Sequence, residues 1–256
     1  MSQTKRSDYP QNEQIKKHYE KSAKSYNKSW QHSSDFVRAL SKKSLECLEL
    51  KSLDKFVDIC CGTGLFTKEI CDLAGLVNPV LCVDTSAEML EKLPNSPLLK
   101  PILMDANDFI AIPEKYDKIL IKHAIHMINN RELFLKKLFS RLNDRGIFLL
   151  IIMSPQMEYP LFEAAYERFN RSPPNPEKIA QLVQTPGFKT KIEPFTYPIT
   201  IEKNKYFQML KDRFLSFLYS FTDREIQIGI EELKQKYENE EIISLQEKYV
   251  FIIAKK

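Results

Sequence analysis

The stretch FVDICCGTGLFTKEI, residues 56–70, joins a continuous apolar run to an amphipathic pattern through a Gly-Thr-Gly turn. A strand apolar on both faces has to be covered on both, and a tight turn into a helix is the opening half of a crossover in a parallel sheet. The same texture recurs along the chain. Apolar runs rich in Val, Ile and Leu predict strands at 56–60, 79–84, 101–105, 116–122 and 146–153, with helices at 65–74, 86–93 and 130–143 between them.

Beyond residue 153 the pattern turns helical, at 160–170, 175–184, 205–221 and 223–238, interrupted by one alternating strand, KTKIEPFTYPITI, at 189–201. The chain then closes on KYVFIIAKK, residues 248–256. A last apolar strand after a helical excursion suggests one sheet with helices added to it, within a single domain. There is no internal repeat, low-complexity tract or long linker.

With 256 residues and 43% hydrophobic side chains, the chain can bury one substantial core. No apolar run approaches the roughly 20 residues that span a bilayer. The polar opening MSQTKRSDYPQNEQIKKHYEKSAK lacks the apolar centre of a secretory signal. The reading is therefore a cytoplasmic protein without a membrane partner. A net charge of +4, with no block of like charges, does not announce a nucleic-acid surface. Five cysteines, at 47, 60, 61, 71 and 82, form neither an even set nor paired metal-ligand spacings, so reduced thiols and no metal site are expected.

The paired cysteines therefore close a strand, and the glycines after them are the candidate binding element, since glycine lets backbone approach a ligand at a helix N-terminus. A dinucleotide fingerprint fails at its last glycine, where Thr67 stands. Asp84 closes the second strand about twenty residues on, where a carboxylate accepts from two ribose hydroxyls in dinucleotide and other nucleoside sites alike. Asp58 lies in the first strand, and Asp105 ends the third, placed to accept from an adenine amino group. Three acids around one glycine turn describe an adenosine pocket.

FVDICCGTGLFTKEI, CVDTSAEML, MDANDF and YDKILIKHAIHMI, in that order, resemble the successive motifs of class I S-adenosylmethionine-dependent methyltransferases. NDRGIFLLI and GFKTKIEP resemble the segments around that family's fifth and sixth strands, and HYEKSAKSYNKSW resembles the N-terminal cover of its small-molecule branch. The resemblance implies an α/β, Rossmann-like, doubly wound seven-stranded sheet with an antiparallel last strand, an N-terminal helical cover and a helical lid insertion. It divides a single domain of residues 1–256 into a cover (1–50), a cofactor-binding core (51–153), a helical substrate lid with one strand (154–246) and the last strand (247–256). The cofactor it implies is S-adenosyl-L-methionine.

Carried over residue by residue, Gly62, Thr63 and Gly64 would approach the sulfonium and methionine moiety, Tyr19 and Tyr26 would contact its methionine end, and Asp58 would face its ammonium. Asp84 would take the ribose, Thr85 and Met89 would flank the adenine, Asp105 and Ala106 would read its edge, and Lys122 would contribute backbone. The family's loop usually has glycine where Cys60 stands.

His123 and His126, just past the fourth strand, are the candidate bases, as a histidine there would titrate near neutrality. In the excursion after residue 200, Tyr206, Arg213 and Ser216 are candidates for anchoring an anionic small molecule, against the alternative of a helix packing its aromatic stripe on the core. Three functions compete: a small-molecule methyltransferase, an RNA or protein methyltransferase, and a cofactor-binding protein without turnover. The absence of a dense basic stretch argues against nucleic acid. An enclosed pocket, a small acceptor and an undetermined oligomeric state complete the expectation.

Overall fold

The computed structural model describes residues 33–171 and 173–256. Tyr19 and Tyr26, with most of the expected cover, lie outside the described residues. The described elements are α1 (Ser34–Leu48), β1 (Phe56–Ile59), α2 (Leu65–Ala74), β2 (Val80–Asp84), α3 (Ala87–Leu90), β3 (Leu99–Leu103), α4 (Ala106–Ala111) and β4 (Tyr116–Lys122). They continue with α5 (Arg131–Arg141), β5 (Leu142–Met153), α6 (Glu163–Asn170), α7 (Pro176–Gln184), β6 (Lys189–Glu202), α8 (Lys203–Lys211), α9 (Asp223–Lys236) and β7 (Ile242–Lys255). Seven strands form one sheet in the order β3-β2-β1-β4-β5-β7-β6. The pairs among β1 to β5 are parallel, whereas β7 runs antiparallel to β5, from Ile147 opposite Lys255 to Met153 opposite Tyr249. This is the fold that the motif order implies.

The chain divides into two compact units. One comprises residues 33–155, 175–195 and 248–256, and its core follows from strand alternation. Val57, Ile59, Ile119, Ile121, Phe148, Leu150, Val250 and Ile252 face one side of the sheet with Phe109, Phe134, Leu138 and Val183 of the helices. Asp58, Cys82, Leu120 and Lys122 occupy alternate positions and so face the other way. Strand β1 is buried at every residue, as expected of a strand covered on both faces.

Several boundaries differ from those read in the sequence: β7, expected at 247–256, already begins at Ile242, and β5, expected at 146–153, begins at Leu142. Strand β3 ends at Leu103, because its pairing with β2 runs from Val80 opposite Leu99 to Asp84 opposite Leu103. Asp105 is therefore not a strand end but the N-cap of α4, its carboxylate accepting from the Asn107 N–H at 2.8 Å. Helix α3 is a single turn at Ala87–Leu90, shorter than the expected 86–93.

The expected helix at 205–221 is broken after Lys211. Arg213 adopts the left-handed conformation, φ 52°, and the N–H groups of Arg213 and Phe214 return to the carbonyls of Leu210 and Met209. That is the hydrogen-bond pattern that closes a helix at a left-handed residue. Glycine usually marks such a stop, so the sequence does not show it. A short 3-10 helix, Ser216–Ser220, follows.

The second unit, residues 156–174 and 196–247, is built on aromatic contacts. Phe214 meets Tyr159 and Tyr206 at centroid distances of 5.6 and 5.9 Å, and Phe162 meets Phe221 at 5.3 Å. Helix α9 starts with a capping box between Thr222 and Glu225 and passes directly under the Phe162 ring at Gly229. A Cβ there would stand 2.3 Å from Phe162 Cγ. Replacing glycine by alanine inside a helix ordinarily gains up to about 1 kcal/mol. Here the added methyl has to displace a packed ring, an overpacking cost of about 1–3 kcal/mol. Gly229→Ala is therefore expected to lower the urea midpoint, and to cost less in a Phe162→Leu background where the ring is gone.

Candidate cofactor site

The parallel register of β1, β2 and β4 brings three chain reversals to one edge of the sheet: the 60–64 loop, the turn after Asp84 and the turn after Lys122. The first of these is wound by backbone conformation. Cys60, Gly62 and Gly64 all have positive φ, at 60°, 57° and 65°. The Cys61 N–H donates to the Val83 carbonyl at 3.1 Å and the Gly64 N–H to the Cys61 carbonyl at 3.1 Å. The Gly62 N–H donates to the Asp84 carboxylate at 2.8 Å, so the loop is bound to the end of β2 by side chain as well as backbone.

Among the described residues, no atom lies within 4 Å of where a Cβ at Gly62 would stand. A Cβ at Gly64 would stand 2.3 Å from Leu93 Cδ2, which makes a side chain at that position costly in two ways. Thr63 between them is buried.

Asp84 is partly exposed, and its carboxylate accepts from the N–H groups of Gly62 at 2.8 Å and of Ser86 at 3.0 Å. A carboxylate has about four lone-pair sites, so acceptor capacity remains. Its pKa is pushed up by burial, opposed by the hydrogen bonds from Ser86, Gly62 and Thr85. Thr85 is exposed beside it, while Met89 is almost fully buried and packs as core. Asp105 is exposed and Ala106 buried at the start of α4.

Asp58 is the most perturbed acid of the site. It is buried, and its carboxylate accepts from the hydroxyl of Thr67, itself buried in α2. Burial pushes its pKa up to about 7, against the lowering effects of the Thr67 hydrogen bond and of Lys122, while the nearby Asp84 charge pushes in the same direction as burial. Thr67 was not singled out in the sequence. The signal available was a threonine in the first turn of the helix that follows the acid's strand.

Lys122 closes β4 with its ammonium 4.4 Å from the centroid of Phe66. His123 follows in a left-handed conformation, φ 56°, its N–H bonded to the Ile151 carbonyl at 2.8 Å and its ring 4.6 Å from that of Tyr249. His126 sits in a 3-10 turn, Ile125–Met127, and its pKa is pushed down to about 4 by burial and by Arg131. That corrects the expectation of near-neutral titration for this residue, since desolvation disfavours the imidazolium.

The five cysteines are free thiols, and burial raises Cys71 to about 12. Among the described residues no group of three or more His, Cys, Asp or Glu is placed to hold a metal ion. No helix there is long and apolar enough to cross a membrane.

The three candidate acceptor residues belong to the other unit, where each has a structural partner or place. Tyr206 is completely buried and donates to the Pro160 carbonyl at 3.0 Å. Arg213 donates to the Asp223 carboxylate at 2.6 Å and to the Phe221 carbonyl at 3.2 Å, at the start of α9. Ser216 opens the 3-10 helix, half-buried.

The sheet order, the glycine loop and the strand-end acid together define a class I methyltransferase fold. Residues 57–150 match the family model described as a methyltransferase domain. A demethylmenaquinone methyltransferase of Staphylococcus carnosus is 24% identical over 132 residues, 50% of this chain and 54% of that protein. The chain thus spans about half the length of the curated relatives it matches. Among solved structures, an Anabaena variabilis protein described as a putative methyltransferase from an antibiotic biosynthesis pathway superposes with TM-score 0.67 at 18% identity, over 84% of this chain and 96% of its own. Haemonchus contortus phosphoethanolamine N-methyltransferase 2, solved with S-adenosyl-L-methionine, superposes with TM-score 0.59 at 17% identity, over 93% of this chain and 57% of its own.

Two outcomes follow from this geometry. Cys60 holds a backbone conformation that costs an L-residue roughly 1–2 kcal/mol, part of which glycine returns to the unfolded chain. Cys60→Gly is therefore expected to raise stability by up to about 1 kcal/mol in chemical denaturation, while Cys60→Ala gains nothing.

The second concerns pH. Asp58 has a folded-state pKa near 7 against 3.8 as the ordinary value, so across that window the native state holds a proton that the unfolded state has released. Stability falls as pH rises wherever the native state binds more protons. Between about pH 4 and pH 7, the wild type is expected to lose stability relative to Asp58→Asn, with the difference levelling above that range. Parallel urea titrations at several pH values measure it, and an unchanged difference would show that Asp58 does not carry the linkage.

Proposed function

We propose that this chain binds S-adenosylmethionine at the 60–64 loop and transfers its methyl group to a small-molecule acceptor. The observation that carries the reading is the pairing of the loop with a strand-end acid: Gly62 donates to Asp84 at 2.8 Å, within the segment that matches the methyltransferase domain. In this reading Asp84 takes the two ribose hydroxyls, for which its spare lone pairs leave room, and the exposed Thr85 and Asp105 contact the adenine. Gly62, Thr63 and Gly64 would line the methionine side with Asp58, and Ala106 and Met89 would supply apolar contact.

When bound, the cofactor supplies a methyl group activated on a sulfonium. What remains for the chain is alignment, with proton removal only where the acceptor carries a proton. His123 and His126 remain the proposed residues for that step. His126 is uncharged at neutral pH because of its low pKa, so it can accept a proton without first losing one. Its basicity is correspondingly weak, which suits an acceptor whose proton is already acidic.

A small acceptor is supported by the demethylmenaquinone methyltransferases among the relatives. Fold alone does not select it, since one fold hosts many chemistries. RNA or protein methylation is the second reading, and a binding protein without turnover the third. Tyr206, Arg213 and Ser216 stay proposed as acceptor contacts, with Arg213 the one whose charge suits an anion. A location in the cytoplasm belongs to the same proposal.

Titration calorimetry with S-adenosylhomocysteine tests the cofactor. Micromolar binding is expected, weakened by about 1–3 kcal/mol in Asp84→Ala through lost charge-assisted hydrogen bonds. Tight NAD binding with no response to S-adenosylhomocysteine would defeat the reading. A labelled methyl donor offered with a metabolite library, total RNA and lysate protein then tests the acceptor. Label is expected in a small molecule, and label confined to RNA or protein would overturn that choice.

A further inference from the structure

Gly64 ends the glycine loop and caps α2, and the side on which a side chain would project from it is filled by Leu93. A Cβ at Gly64 would stand 2.3 Å from Leu93 Cδ2, with Leu93 Cγ and Pro94 Cδ each at 3.7 Å. The leucine methyl therefore packs directly on glycine backbone. Gly64 is buried, its N–H donates to the Cys61 carbonyl at 3.1 Å, and its carbonyl accepts from the Lys68 N–H at 2.9 Å. Glycine at this position is thus required twice, by its left-handed conformation, φ 65°, and by the leucine against it.

Leu93 reaches that place along a segment bound to itself throughout. The Ser86 N–H donates to Asp84, and the Ser86 hydroxyl caps α3 by accepting from the Met89 N–H at 3.2 Å. The Lys92 and Leu93 N–H groups then return to the carbonyls of Met89 and Leu90 at 3.0 and 3.1 Å. One compact run, residues 84–93, therefore holds the loop at two points: Asp84 takes the Gly62 N–H at 2.8 Å, and Leu93 packs on Gly64. The same run carries Thr85 and Met89, assigned above to the adenine. Leu93 is half-buried and lies outside every motif singled out in the sequence.

We infer that Leu93 is a positioning residue of the cofactor site, setting the spacing between the glycine loop and the segment that follows Asp84, so that one ligand meets both. The inference rests on the cofactor reading above. A binding constellation is held only as firmly as the packing beneath it, and truncating a leucine leaves a cavity into which its neighbours relax. The loss should therefore fall on a ligand that spans segment and loop, such as S-adenosylhomocysteine. Adenosine, whose ribose and adenine are assigned to the segment and to the start of α4, should be spared.

Calorimetry with S-adenosylhomocysteine and with adenosine tests this. Leu93→Ala is expected to weaken S-adenosylhomocysteine by roughly tenfold and adenosine by less than about twofold, lowering the ratio between the two ligands. Leu93→Met, which conserves volume, is expected to keep most of the wild-type ratio. Gly64→Ala is expected to cost less stability in the Leu93→Ala background than in the wild type, because only the left-handed strain is then left. If Gly64→Ala does not fold, the ligand ratio of Leu93→Ala still decides. Equal weakening of both ligands in Leu93→Ala, or unchanged binding of S-adenosylhomocysteine, would overturn the role of Leu93 and leave the cofactor reading standing. A wild type that binds neither ligand removes the cofactor reading, and this inference with it.

Discussion

The hydrogen bond from the Gly62 N–H to the Asp84 carboxylate joins the two structural features on which the site depends. It fixes a loop with three left-handed residues against the end of β2, and it orients the acid that β2 delivers there. Because β1 and β2 are parallel, their carboxyl ends lie side by side, and a donor leaving one strand reaches an acceptor ending the next. Without that register the glycine turn would be a bend with no partner. With it, loop and acid form one unit.

Strands β1, β2, β4 and β5 were legible as short apolar runs, the pattern that a parallel sheet covered on both faces demands. The last strand was visible for the same reason, in KYVFIIAKK. Boundaries governed by tertiary contacts were not visible. The end of β3 is set by its pairing with β2, so Asp105 moved from the strand to the cap of the following helix. The break after Lys211 is set by Phe214 entering an aromatic cluster with Tyr159 and Tyr206, and no glycine or asparagine marks it. A periodic pattern of aromatic residues runs straight through that break, and periodicity cannot distinguish one helix from a helix followed by a tight turn.

The site was legible where chemistry constrains residue type, as at Gly62, Gly64 and Asp84. It was less so where a side chain acts on another. Thr67 reads as an ordinary helix residue until its hydroxyl is found on Asp58, and Phe66 as a core aromatic until Lys122 is found above its ring. His126 illustrates the same limit from the other side. Its identity suggested near-neutral titration, but burial and Arg131 move it far below that range. Environment, which sequence does not display, decides the protonation of both His126 and Asp58.

Asp58 also shows how stability and binding oppose each other in this unit. Burying a carboxyl group in a strand covered on both faces favours its neutral form, and ionising it there costs folding free energy. The Thr67 hydroxyl and the Lys122 charge reduce that cost without removing it, since the pKa still stands near 7. An apolar residue of similar size would fit β1 at lower cost. A group that destabilises the free protein is compensated when a ligand brings the missing positive charge, because binding then recovers the energy that burial withheld. For Asp58, the proposed contact with a ligand's ammonium would offset a cost that the sheet alone does not repay.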